Sequence, residues 1–111
     1  MKKTLIITCL VITLLGVGAC GSKRGSYEPV INPEFLNLSK EDVFEKGEAL
    51  FEQHKWARAR EHYAHVYENY PNDPLGRRSL LRIADTYFEQ GGSLNMIEAQ
   101  YKYRDFINRY P

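Results

Sequence analysis

A thirteen-residue pattern occurs twice in this chain, forty positions apart, and it limits the possible fold more than any other feature. It reads AREHYAHVYENYP from Ala59 to Pro71 and AQYKYRDFINRYP from Ala99 to Pro111. Each copy opens on Ala and places Tyr four residues later (Tyr63, Tyr103). Each then carries Val66-Tyr67 or Phe106-Ile107 and closes on Tyr-Pro. These places fall at i, i+4, i+7 and i+8, one face of an α-helix, and the closing proline stops it. Similarity at a period of a few tens of residues marks stacked repeats, in which neighbouring units supply the burial that one unit lacks.

Each copy needs a helix before it to pack against, and the chain supplies two. Ser39 is a suitable N-cap, with Asp42 three places on in a variant of the capping box. Val43, Gly47, Leu50 and Phe51 then share one face of a helix running to about Gln53. Gly47 stands twelve residues before Ala59. A glycine inside a helix costs about 1 kcal/mol against alanine, so close approach of the two helices is the expected reason for it. His54-Lys55 fills the turn, with His54 solvated. Trp56 opens the second helix, whose inner face is Trp56, Ala59, Tyr63, Val66, Tyr67 and Tyr70.

Asn72-Asp73-Pro74 connects the two units. Asp73 can cap the third helix, and Pro74 suits its first turn, where no amide partner is lost. That helix turns Leu80, Ile83, Ala84, Tyr87 and Phe88 inward and ends at Gly91-Gly92-Ser93. Ala84 and Ala99 are fifteen residues apart, three more than Gly47 and Ala59, which predicts a longer inner turn. The fourth helix buries Ala99, Tyr103, Phe106, Ile107 and Tyr110. The expected fold is all-α: antiparallel helices over about 40–53, 56–69, 75–90 and 94–109, stacked as hairpins spanning 39–73 and 74–111.

The start of the chain has a different character. Lys2-Lys3 precede an apolar run, Thr4 to Leu15, of signal-peptide length and short for a membrane span. Val17-Gly18-Ala19-Cys20 follows, and it looks like a bacterial lipobox. Residues 1–19 therefore read as a lipoprotein signal peptide. The resemblance implies diacylglycerol on the Cys20 sulfur and an acyl group on the new amino terminus, with no other cofactor. Several lipid chains give a durable anchor where one holds marginally. Gly21 after the cysteine, instead of Asp, matches the sorting rule of diderm bacteria for the periplasmic face of the outer membrane. Residues 20–38 read as a lipidated flexible tether, since Pro29 and Pro33 argue against a helix there.

Composition closes off several functions. Of 15 basic and 14 acidic residues, Lys2 and Lys3 leave with the leader, so the mature chain carries no basic excess for nucleic acid. Both cysteines, Cys9 and Cys20, precede the repeats, which rules out a disulfide framework or thiolate ligand set within them. His62 and His65 lie one turn apart beside Glu61, but a metal site needs three or four ligands, and an outer helix face is the plainer expectation. No nucleophile-base set or phosphate loop can be assembled, so no enzyme and no small-molecule substrate is expected.

Ala-x3-Tyr with a late proline is the second half of the tetratricopeptide pattern. Joined to a lipobox and a short tether, the stretch Val43 to Pro111 resembles the BamD family of outer-membrane assembly lipoproteins. Its most telling segment is IADTYFEQGGSLNMIEAQYKYRDFINRYP, Ile83 to Pro111. The resemblance implies a lipid-anchored scaffold whose partners are barrel-assembly subunits and unfolded outer-membrane proteins. Members carry about five repeats and this chain has two, so an N-terminal fragment is expected, with the apolar side of the fourth helix partly uncovered. A secretin pilotin or a cell-wall enzyme adaptor is the alternative. The candidate peptide groove lies along the first helix of each repeat: Phe44, Glu48 and Phe51, then Leu81, Asp85 and Phe88. Apolar side chains there would form pockets for aromatic ends and the acids would set polarity; the alternative is a purely structural stack.

Overall fold

The computed structural model describes residues 32–111; Cys20 and the stretches expected as leader and as the first part of the tether lie outside them. A single 3-10 turn at Pro33–Phe35 leads into α1 (Lys40–Glu52), α2 (Trp56–Asn69), α3 (Pro74–Gln90) and α4 (Ser93–Arg109). Among the described residues there is no strand, and no helix is long and apolar enough to cross a membrane. Each helix packs on the next in order, and α1 also reaches α3. This is the all-α stack of two hairpins expected from the repeat.

Local chemistry fixes the helix ends. The Ser39 hydroxyl accepts from the Asp42 amide at 3.1 Å, and the Asp42 carboxylate accepts from the Ser39 amide at 3.3 Å, closing the capping box. Asp73 accepts from the Leu75 amide at 2.8 Å and takes the Lys40 ammonium on its other oxygen. One carboxylate thus caps α3 and ties it to the start of α1. The bond to Lys40 and the cap bond both hold the Asp73 carboxyl below its usual range.

The three extra residues of the second repeat do not lengthen its turn. Gly91 and Gly92 have φ of 69° and 84°, a region that suits glycine, and they reverse the chain in two residues. The insertion is absorbed instead at the start of α4, as the helical residues Ser93, Leu94 and Asn95. Met96 then occupies the place that Trp56 holds in the first repeat, three residues before the repeated Ala.

The core belongs mainly to the first repeat. Val43, Phe44, Leu50, Ala59, Tyr63 and Val66 form one cluster, completed by Ile83 from α3, with Leu75 and Tyr87 packed against it. The close approach expected at Gly47 is present, since a Cβ there would sit 2.8 Å from the Tyr63 ring. In the second repeat Ala84 and Ala99 are buried, but Ala99 is the buried residue of α4. Phe88 and Ile107 do not point inward: they are 50% and 65% exposed, because no helix among the described residues covers that side. Tyr70 is also largely exposed, its ring beneath the Lys40 ammonium.

Two expectations about the edge of the first repeat are corrected. The stretch taken as tether to Leu38 is folded from Asn32, whose side chain caps the Pro33–Phe35 turn. Phe35 enters the core, and its ring meets His62 edge-on at 5.0 Å and lies against His65 at 4.4 Å. His62 is therefore not on an outer face but 1% exposed, with Nδ1–H donating to the Arg58 carbonyl at 2.9 Å. A 3-10 turn tolerates Pro33 at its first position for the same reason a helix does.

Glycine at 76 has a reason the sequence pattern did not reveal. A Cβ there would stand 1.8 Å from the Tyr70 carbonyl oxygen, a backbone atom that cannot swing aside. Gly76→Ala should thus shift α3 off α2, and Gly47→Leu should part α1 from α2 at a cost of ~1–3 kcal/mol. Urea unfolding followed by helicity checks both; an unchanged midpoint for either variant would contradict the packing described.

Candidate functional site

The two tyrosines of the repeated pattern do the same thing in both hairpins. Tyr63 donates its hydroxyl to Glu48 at 2.7 Å, and Tyr103 donates to Asp85 at 2.7 Å. Each bond joins the second helix of a repeat to the first. Arg82 on α3 then links the repeats. Its Nε and Nη2 donate to the two oxygens of Glu48 at 2.7 and 2.8 Å, and its Nη1 donates to Asp85 at 3.3 Å. A two-pronged guanidinium–carboxylate pair fixes orientation as well as distance. The same guanidinium lies over the Phe51 ring, 4.0 Å from its centroid, while Trp56 meets that ring edge-on.

This network sets the protonation of its members. Partial burial works against an ionised Glu48, yet the bonds from Arg82 and Tyr63 outweigh it and hold the carboxyl below its usual range. Burial, then the Glu48 bond, pushes the Tyr63 phenol well above its ordinary value. A depressed carboxyl stabilises the fold above the unfolded carboxylate pKa, and the contribution is lost as pH falls through the folded value. The Glu48–Arg82 contribution is therefore complete at neutral pH and fails only in acid.

The six residues expected to line a peptide groove separate into different roles. Phe44 is 5% exposed, its ring packed on Tyr63 at 5.5 Å and capped by the Arg78 guanidinium at 5.2 Å. Its ring is core, with only an edge on the hollow over α1. Phe51 is closed over by Arg82 and Trp56, and Leu81 is half-buried. Glu48 and Asp85 spend their oxygens on Arg82 and the tyrosines. What stays open over α1 is a hollow of about 270 Å³ walled by Glu41, Glu45, Glu48, Arg78, Phe44 and Leu75. Of the six, Phe88 is the one that remains largely accessible.

Phe88 forms one wall of an apolar depression of about 450 Å³ between α3 and α4. Met96, Ala99, Gln100, Tyr103, Arg104 and Ile107 complete it. Aromatic and aliphatic walls with a few polar groups at the edge suit a packed side chain of a partner. Met96, Gln100, Arg104 and Ile107 were not recognised as surface residues from the sequence. The forty-residue offset carried the signal, because it aligns Met96 with Trp56 and Ile107 with Tyr67, whose rings meet Phe51 and Arg109.

A family model described as tetratricopeptide repeat matches residues 43–73 and 78–111. No curated protein matches the chain, and no solved structure does.

Proposed function

The chain belongs to the tetratricopeptide-repeat family, and on that premise we propose that it is a lipid-anchored scaffold of the machinery that assembles β-barrel proteins in the outer membrane. Stacked helical hairpins present binding surfaces to other proteins, so a protein-interaction role follows from the repeats. The finer reading is supported by the lipobox-like Val17-Gly18-Ala19-Cys20 and by the resemblance of Ile83 to Pro111 to the BamD family. Cys20 would carry the lipid and hold the repeats at the periplasmic face. The partners would be assembly subunits and unfolded outer-membrane protein segments.

The observation that carries the binding role is the contrast between equivalent aromatics. Phe51 is partly buried beneath the Arg82 guanidinium, whereas Phe88 stands half exposed in an apolar depression. Burial of one aromatic anchor commonly contributes ~2 kcal/mol or more to binding, and a rim residue contributes little.

An aromatic-ended outer-membrane-protein peptide titrated against the full chain tests this reading. Phe88→Ala should weaken binding at least tenfold, while Arg58→Ala, on the far side against Glu34, should leave it unchanged with helicity intact. Equal affinities for the two variants would contradict the depression as the client site. For the anchor, Cys20→Ser should abolish metabolic lipid labelling; labelling that persists in the variant would exclude Cys20 as the lipid site.

A further inference from the structure

His62 is enclosed, and its two ring nitrogens are served unequally. Nδ1 stands 2.9 Å from the Arg58 carbonyl, an acceptor only, so Nδ1 must carry the hydrogen. Nε2 of the neutral ring is then a bare acceptor, and it has no hydrogen-bond partner among the described residues. What it faces is another acceptor, Oε1 of Glu34 at 3.5 Å. Opposed lone pairs leave a buried polar atom unsatisfied. Moving the hydrogen to Nε2 would serve Glu34 but set Nδ1 against a carbonyl. No neutral tautomer answers both contacts, whereas the imidazolium, a donor at both nitrogens, answers them together.

We propose that Glu34 and His62 form a proton-operated latch: on taking up a proton, His62 donates from Nε2 to Glu34 and fastens the strap of residues 32–38 to α2. The strap is built for this. Asn32 caps its 3-10 turn, and Phe35 enters the core beside the His62 ring, which leaves Glu34 at the ring's outer nitrogen. The Glu34 side chain is 39% exposed, so it can close the remaining gap without moving the backbone. A bond from a charged donor to a carboxylate is shorter and stronger than a neutral one.

The charges around His62 are few. Arg58, on the same helix, reaches the same Glu34 oxygen at 3.9 Å from a largely exposed side chain and competes for it. His65 lies against the other side of Phe35. α1 meets His62 at Gly47, which brings no charge. The protonated ring gains its bond to Glu34 only while the strap is docked, so docking and proton uptake favour each other. The latch therefore holds at the acid end of the histidine range and loosens as pH rises through it. With residues 20–38 as the tether of an anchored protein, releasing residues 32–38 would lengthen its reach by up to about 20 Å.

Amide hydrogen exchange of the full chain in detergent tests the latch, read as protection factors so that the intrinsic pH dependence of exchange drops out. The Phe35, Leu36 and Leu38 amides report on the strap, since each donates to a carbonyl within it. Their protection should rise roughly threefold to tenfold from about pH 7.5 to about pH 5.5, a window that spans the ordinary histidine range. Glu34→Ala should flatten the response at the weakly protected level. Glu34→Gln should flatten it at a higher level, because its amide can donate to neutral Nε2 and its oxygen can accept from the protonated ring. A rise that survives Glu34→Ala would belong to another group, His65 first of all, and would overturn the proposal. Equal protection at both pH values in the unaltered chain would overturn it too, as would nitrogen spectra showing the neutral His62 ring protonated at Nε2. The strap amides report the latch whether or not Cys20 carries a lipid or Phe88 binds a client.

Discussion

Arg82 is the polar side chain that fixes how the two hairpins meet. Each hairpin has its own internal link, a tyrosine hydroxyl to a carboxylate on the preceding helix. Those links would leave two separate units if nothing crossed between them. Arg82 crosses: it grips Glu48 of the first repeat with two donors and touches Asp85 of its own repeat with a third. It also lays its flat face on Phe51, so the charge is held on an apolar surface and partly shielded from water. Partly shielded, oriented charge pairs are coupled more strongly than fully solvated ones. Lys40 on Asp73 adds a second polar tie between the same two helices, close to the cap of α3.

The same arrangement explains why the molecule is unequal at its two sides. In the first repeat the core is built from both hairpins, since α3 lends Leu75, Ile83 and Tyr87 to it. On the other edge, Phe35 from the 3-10 turn seals the packing against His62 and His65. The second repeat receives no such contribution on the far side of α4. Its inserted residues add nearly a turn to the start of that helix, and Leu94, Met96 and Ile97 are exposed there. Solenoid repeats are stabilised by their neighbours, so the face left uncovered among the described residues is the less stable part of the stack.

Much of this was legible before any coordinates. The helix boundaries agree with the caps and breakers to within about a residue, because Ser39, Asp73, Pro74 and Gly91 act locally. Gly47 was legible because a helix pays for glycine unless something needs the space. The site was harder to read. In a solenoid each helix has one apolar face toward its hairpin partner and another toward the next repeat, and helical periodicity does not distinguish them. Phe44 and Phe88 therefore looked alike in sequence, though one is core and the other open. Phe35 sits just behind Pro33 in a short stretch without a sustained period to mark it, and His62 could not be placed without it. Arg82 was hidden for another reason: its two-pronged partner, Glu48, is 34 residues away, and a charged side chain on a helix usually reads as solvated. The stretch expected as a leader and the expected lipid site lie outside the described residues, so the reading of Cys20 stands on its sequence context.

The most direct test of the account is a double-mutant cycle between Glu48→Gln and Arg82→Met, read by urea unfolding at neutral pH and again in acid. If Arg82 joins the repeats through Glu48, the two changes should be coupled by about 1 kcal/mol or more at neutral pH. The coupling should persist somewhat below the usual Glu pKa of about 4.3 and vanish once Glu48 takes up its proton. Additive effects at neutral pH, with both variants still helical, would contradict the claim that this pair holds the two hairpins together.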